Sequence, residues 1–260
     1  MPVVTFLSDF GTGDGFVAAM KGVVLGIAPD ARLVDVAHDI APGDVEAGAW
    51  VLSQYWNLYP PGTVHVAVID PGVGGARRAI ALAADERCVV APDNGLVTYI
   101  VRAAARWKCV ELAEPRFMRP APSATFHGRD IFAPVAAHLA CGVDFQRFGA
   151  VLDRPSLLDI QPPVKSAGEI CGRIAHVDRF GNLITDIPAD WVDESWRLTV
   201  AGQAVGGLRH TYSDVHRGEL VAVIGSMGTL EIAAREASAA EALGVARGDP
   251  VTATRRSSSR

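Results

Sequence analysis

Through the first half of the chain, short unbroken apolar runs alternate with polar, glycine-rich punctuation. Residues 3–7, VVTFL, end at Ser8-Asp9 and a glycine-rich turn, after which Phe16, Met20, Val23, Val24 and Ile27 recur at helical spacing. The same phrasing returns with residues 31–38 before 45–56, with 64–70, and with 88–94 before 95–107. Near-continuous Val, Ile and Ala in the strand-like runs predict burial on both faces, the mark of a parallel-type sheet covered by helices. A further helical run, residues 128–142, contains Pro134 and is predicted to kink there or start late. Residues 1–153 therefore read as an α/β sandwich domain.

The pattern changes at residues 154–168, RPSLLDIQPPVKSAG, which are proline-rich, lack periodicity and read as a linker. Short alternating segments with glycine turns follow (EICGRIAHVD, NLITDI, WRLTVAGQAV, ELVAVIGSMGTLEIAAR and PVTATR), with one helical turn at 240–244. They predict a smaller β-barrel-like domain over 169–254, and residues 255–260 read as a disordered tail.

Composition narrows the function. The chain has 260 residues, 49% apolar and 20% charged, with 24 basic against 29 acidic side chains and a net charge of −5. No basic block lies outside the short tail, which argues against a nucleic-acid partner. The apolar stretch after the first turn is broken by Lys21 and too short to span a bilayer, so no membrane span is expected. Without a basic, apolar leader the expected location is cytoplasmic. Cys88, Cys109, Cys141 and Cys171 are scattered, with no metal-ligand spacing, and read as reduced, buried small hydrophobes.

Polar residues gather just after the predicted strands, where an α/β sheet presents ligands. In residues 8–15, SDFGTGDG, the carboxylates of Asp9 and Asp14 disfavour a phosphate and suit sugar hydroxyls or a cation. Asp70 and Arg77 flank a glycine-rich loop that can fold back to pair them. With His127 they offer a base, a fixed cation and an imidazole for activating water. Asp44, and Asp93-Asn94-Gly95 before a helix, also fit plain turn and cap chemistry. In the β half, Phe180 suits stacking on a flat heterocycle, Asn182 suits reading its edge, and Asp178 suits an ammonium.

Taken in order, SDFGTGDGFVAAMKG, VDVAHDI, VIDPGVGGARR, APDNGL, TFHGRDIFAP, DRFGNLITDI and GSMGTLEIA resemble the S-adenosylmethionine hydroxide adenosyltransferases, relatives of the fluorinases and chlorinases. The resemblance spans about residues 3–253. It implies an α/β N-terminal domain, a β-barrel-like C-terminal domain, and a homotrimer with each nucleoside held between domains of neighbouring subunits. The family's catalytic set falls on Asp70, Arg77 and His127. The substrate set falls on Asp9 at the ribose, Asn182 and Phe180 at the adenine, and Asp178 and Ser226 near the methionine end, with Asn94 and Asp14 as weaker matches. Met227 stands where fluorinases carry an arginine for the substrate carboxylate, Gly43 where they carry a tryptophan, and Asp70 where they carry a tyrosine. An ionised Asp70 repels a halide, so the resemblance points to hydrolysis of S-adenosylmethionine to adenosine and L-methionine. S-adenosylmethionine is then the substrate, and no cofactor or metal is expected.

Two other readings start from the same residues. A metal-dependent phosphoesterase would draw hard ligands from Asp9, Asp14, His38, Asp39 and Asp70. A non-catalytic binding module would sense S-adenosylmethionine or a nucleoside and keep the triad for structure.

Overall fold

The computed structural model describes residues 1–255 and divides into two compact units, Met1–Asp159 and a second beginning at Ile160. In the first unit β1 (Val3–Ser8), α1 (Phe16–Ile27), β2 (Arg32–Ala37), α2 (Val45–Trp56) and β3 (Val64–Val68) follow the predicted alternation. The chain then makes β4 (Ala79–Ala84), β5 (Arg87–Pro92), α3 (Thr98–Ala103), β6 (Trp107–Glu111) and α4 (Ala133–Ala140). The six strands form one sheet in the order β2-β1-β3-β5-β4-β6. The first four in that order run parallel, and β4 is antiparallel to both β5 and β6.

Burial follows the pleat. Val4, Phe6, Val66, Val68, Ala81 and Val90 pack on one face with Met20 and Val24 of α1 and Ala133 and Val135 of α4. Leu7, Ala67, Ile69, Ile80, Leu82 and Val89 pack on the other with Leu52 and Trp56 of α2 and Ile100 of α3. Each fully buried Leu, Ile or Phe contributes about 1.5–3 kcal/mol, so both faces must stay covered. The chain leaves β1 toward β2 on one side and leaves β3 toward β4 on the other, so the connections diverge between β1 and β3, the place where such sheets open a ligand crevice.

Two local expectations are corrected, and a third, the late start of the helix near Pro134, holds. Phe16 is 44% exposed and Val17 takes the core position, because Phe16, the first residue of α1, packs its ring on Phe10 and Phe126. The helix expected at 95–107 is confined to Thr98–Ala103, and Trp107 opens β6. The run from 128 begins as a π-type turn, Gly128–Phe132, and becomes α-helical at Ala133 with Pro134 in its first turn, where a missing N–H costs nothing.

In the second unit β7 (Val164–Lys165), β8 (Glu169–Val177), β9 (Leu183–Pro188), β10 (Trp196–Val200), β11 (Gln203–Val205), β12 (Leu220–Ile224), β13 (Thr229–Ala234) and β14 (Pro250–Arg255) form an antiparallel sheet, with α5 (Ala239–Leu243) beside it. The order is β11-β10-β14-β8-β9-β13-β12, with β7 on β8. Leu208, just past β11, bridges to Ala222 of β12 and brings the two ends of the sheet together. The barrel-like interior is filled by Ile170, Ile174, Leu183, Trp196, Leu198 and Ile232. Arg255, expected in the tail, is the last residue of β14; the remaining tail residues, 256–260, lie outside the described residues. Cys141 and Cys171 are exposed, against the expectation that all four thiols are buried; Cys109 is buried and Cys88 partly so.

Candidate active site

The first unit gathers Asp9, Asp14, Asp70, Arg77, Asn94 and His127 from loops at the carboxyl side of its sheet, and the second holds Asp178, Phe180, Asn182 and Ser226. Asp70 lies two residues past β3 and Arg77 two residues before β4. Their loop folds back so that Arg77 Nε donates to Asp70 Oδ1 at 2.9 Å and to Oδ2 at 3.1 Å, while its Nη2 also donates to Oδ2. The same Nη2 donates to His127 Nδ1 at 2.6 Å. The guanidinium carbon lies 5.5 Å from the centre of the Phe132 ring, which fixes its plane.

Gly74 makes this fold-back possible. It has φ +75°, and a Cβ there would stand 2.2 Å from the Ala124 carbonyl oxygen, so only glycine lets the Asp70–Arg77 loop lie against the segment that carries His127.

Arginine only donates, so His127 Nδ1 must accept, and the proton of the neutral ring sits on Nε2. Burial, and then the Arg77 cation, push the His127 imidazole below its ordinary value against the smaller upward pull of Asp70 and Asp130. The neutral ring is thus the favoured form. Beside it lies a cavity of about 110 Å³ lined by Phe10, Phe16, Phe126, Val73, Asp70 and His127. Its three phenylalanine rings meet edge to face, with centroids 5.1–5.9 Å apart.

Asp9 Oδ2 accepts from Gly43 N at 2.8 Å, which ties the loop after β1 to the loop after β2. Asp14 is exposed in the turn before α1. Asn94 turns inward: its Nδ2 donates to the Ile69 carbonyl at 2.8 Å, so it holds the strand end next to Asp70. In the second unit Asp178 is the hub of a tight turn. Its Oδ1 accepts from Phe180 N at 2.8 Å and Asn182 N at 2.9 Å, and its Oδ2 from Asn182 Nδ2 at 3.0 Å. This turn leaves the Phe180 ring 76% exposed. Ser226 and Met227 are exposed on the β12–β13 turn.

The turn and cap reading of Asp44 holds, and several further polar contacts are present that the sequence reading does not give. Asp44 caps α2, accepting from Ala47 N at 3.0 Å. Asp93 is buried and held by Arg78, whose Nε donates at 2.7 Å. Glu231 is buried under the β12–β13 turn and accepts from Tyr212 Oη at 2.6 Å. Burial, with Asp178 adding to it, raises the Glu231 carboxyl above its usual range. A Ser8–His38–Asp35–Lys21 chain also underlies the Asp9 loop. His38 Nε2 lies 2.9 Å from Asp35 Oδ1, and Lys21 Nζ donates to Asp35 Oδ2 at 2.5 Å. Burial alone would raise Asp35, but the hydrogen bonds from Lys21 and His38 together outweigh it and hold the carboxyl below its ordinary value. Apart from the Asp44 cap and the Asp35–His38 pair, each spanning three residues, these partners are too far apart in sequence for spacing to reveal them.

Comparison with known proteins decides the family. The chain matches the SAM hydroxide adenosyltransferase N-terminal domain over residues 4–149 and the C-terminal domain over 172–252. The chain belongs to the SAM hydroxide adenosyltransferase family. An (R)-S-adenosyl-L-methionine hydrolase of Salinispora tropica is 40% identical over 256 residues, 97% of this chain and 98% of the relative. One of Thermus thermophilus is 40% identical over 263 residues, 96% and 99% of the two chains. A fluorinase of Actinoplanes sp. stands lower, at 30% identity over 291 residues and 98% of each chain. A crystal structure of an uncharacterized conserved protein from Thermotoga maritima superposes with a TM-score of 0.91 at 35% identity, covering 97% of this chain and all of that one. The first matched span falls within the α/β unit and the second within the barrel-like unit. Among the described residues no helix is long and apolar enough to cross a membrane.

Proposed function

We propose that this protein hydrolyses S-adenosyl-L-methionine to adenosine and L-methionine by in-line attack of an activated water at C5′. The observation that carries this reading is the Asp70–Arg77–His127 network beside a small cavity, in a chain 40% identical to proteins named (R)-S-adenosyl-L-methionine hydrolase.

The chemistry balances without a cofactor. The water oxygen bonds to C5′, the C5′–S bond breaks, and its electron pair neutralises the sulfonium, so methionine leaves as a thioether and needs no acid. Only the nucleophile needs help, since bulk water has a pKa of about 15.7. The Arg77 cation stabilises developing hydroxide, and the His127 Nε2–H donates to its oxygen. With Nδ1 engaged by Arg77 and Nε2 already protonated, the neutral ring has no lone pair to offer. The water proton therefore goes to the Asp70 carboxylate, which keeps acceptor capacity beyond its Arg77 bonds. The same carboxylate repels a halide nucleophile.

Asp9 serves the ribose hydroxyls through the carboxylate capacity that Gly43 leaves open. Asn182 and Phe180 serve the adenine, and Asp178 and Ser226 the methionine end. Asn94 supports the strand end that carries Asp70, and Asp14 stands at the rim. The working form is a cytoplasmic homotrimer in which neighbouring subunits complete each site. Purified, chelator-treated protein should release adenosine and L-methionine in equal amounts, as a trimer by light scattering. Intact substrate would overturn the activity, and a fully active monomer would overturn the assembly.

A further inference from the structure

The loop that carries Asp9 is held by a chain of hydrogen bonds that the proposed reaction does not use. Asp35 is an acceptor, so the His38 Nε2–H points to it at 2.9 Å. On the other side of the ring, Nδ1 and the Ser8 hydroxyl are hydrogen-bonded at 2.7 Å. Ser8 Oγ in turn accepts the Phe10 N–H at 3.4 Å, and Lys21 holds the far oxygen of Asp35. The His38 backbone carbonyl takes the Gly11 N–H at 2.7 Å. His38 thus grips residues on both sides of Asp9, by its ring at Ser8 and by its carbonyl at Gly11. Ser8 is 0% and His38 6% exposed, so no solvent replaces these contacts. The arrangement has the look of a nucleophile relay, yet a fully buried Ser8 cannot meet a substrate.

We infer that His38 is a positioning residue that aims the Asp9 carboxylate at the two ribose hydroxyls of the bound nucleoside. The inference rests on the ribose assignment of Asp9 given above. It follows from where the bonds end: besides the pairing of Ser8 with Val68 in the sheet, the segment Ser8–Gly11 is held by His38 at Ser8 and Gly11 and by Gly43 N on Asp9 itself. Without the Ser8 anchor, the carboxylate keeps its charge but loses its aim. Discrimination in favour of a vicinal diol should then fall, while binding through the adenine persists.

The test compares Kd for adenosine and for 2′,3′-dideoxyadenosine on the full-length protein. Two hydrogen bonds to a charged group predict a wild-type preference for adenosine of at least ~20-fold. The preference should fall below ~3-fold in His38→Ala and in Ser8→Ala. Ser8→Ala removes one buried atom and answers the question if His38→Ala fails to fold. His38→Asn places an amide oxygen the same number of bonds from Cβ as Nδ1 and should restore most of the preference. His38→Gln, which reaches toward Asp35 instead, should not. A role in stability alone would weaken both ligands equally and leave the ratio intact. That outcome, or equal rescue by Asn and Gln, would overturn the inference. If Asp9→Asn abolishes the preference while the His38 and Ser8 variants keep it, His38 has no positioning role although the Asp9 assignment stands. If the wild-type protein shows no preference, the Asp9 assignment fails and takes the inference with it.

Discussion

Replacing Arg77 with methionine separates what the guanidinium does for the fold from what it does for the reaction. Asp70 and Arg77 side chains are 4% and 11% exposed, so the substitution leaves a carboxylate stripped of its donors and largely shielded from water. Breaking a buried pair from one side costs about 3–5 kcal/mol. For a unit of the size of residues 1–159, the low end of that range lowers Tm by about 6–12 °C. The same change removes the cation beside the nucleophile, a loss worth about 10²–10³-fold in turnover. The double variant Asp70→Asn/Arg77→Met removes the orphaned charge with its partner. It should regain most of the lost Tm and none of the lost rate. Differential scanning calorimetry and initial rates of adenosine release measure the two quantities. A double variant as unstable as the single one would show that the ion pair is not the source of the stability effect. Near-wild-type turnover in Arg77→Met would remove Arg77 from the mechanism.

Three further outcomes are expected. Because burial and Arg77 depress the His127 imidazole, the acid limb of kcat/KM should fall below pH 6.5, and Arg77→Gln should move it upward; an unmoved limb would assign it to another group. Buried His65, whose Nδ1 lies 2.7 Å from Thr5 Oγ1, is lowered to about 3 by burial and Arg87. Its unfolded form takes a proton first, so it should cost about 1.4 kcal/mol of stability per pH unit as pH falls below about 6.5. His65→Leu should flatten the pH slope of urea-unfolding ΔG by one proton between pH 5.5 and 4.5, and an identical slope would contradict this. Gly74→Ala forces a Cβ toward the Ala124 carbonyl at a positive φ, so turnover should drop ~10-fold or more while the Tm of the protein changes by only a few degrees.

Legibility in the sequence depended on how local each determinant is. Helix α2 occupies the span its periodicity marks, Val45–Trp56, because its Asp44 cap and apolar stripe lie within one stretch of chain. The Asp70–Arg77 pairing was equally readable, since seven residues of glycine-rich loop give a short closure. Strand β4 was not. Its sequence AIALAA carries alanines that favour helix, and only antiparallel pairing with β5 and β6 makes it a strand. Its hairpin to β5 turns through Asp85 and Glu86, both at positive φ, where glycine or asparagine is the usual signal. Strand β6 hid behind the expected helix at 95–107 for the same reason: its pairing to β4 is nonlocal. The His38 chain joins residues 30 apart through burial, which no spacing rule detects. Cys141 and Cys171 are exposed because composition reports the average habit of a thiol, not its place on a helix end or a strand face.

The most direct test of water attack at C5′ is to supply S-adenosyl-L-methionine in ¹⁸O-labelled water and follow the products by mass spectrometry. The account predicts adenosine carrying one ¹⁸O at its 5′-oxygen, with an equal amount of unlabelled L-methionine. Adenosine without the label, or no adenosine at all, would contradict it.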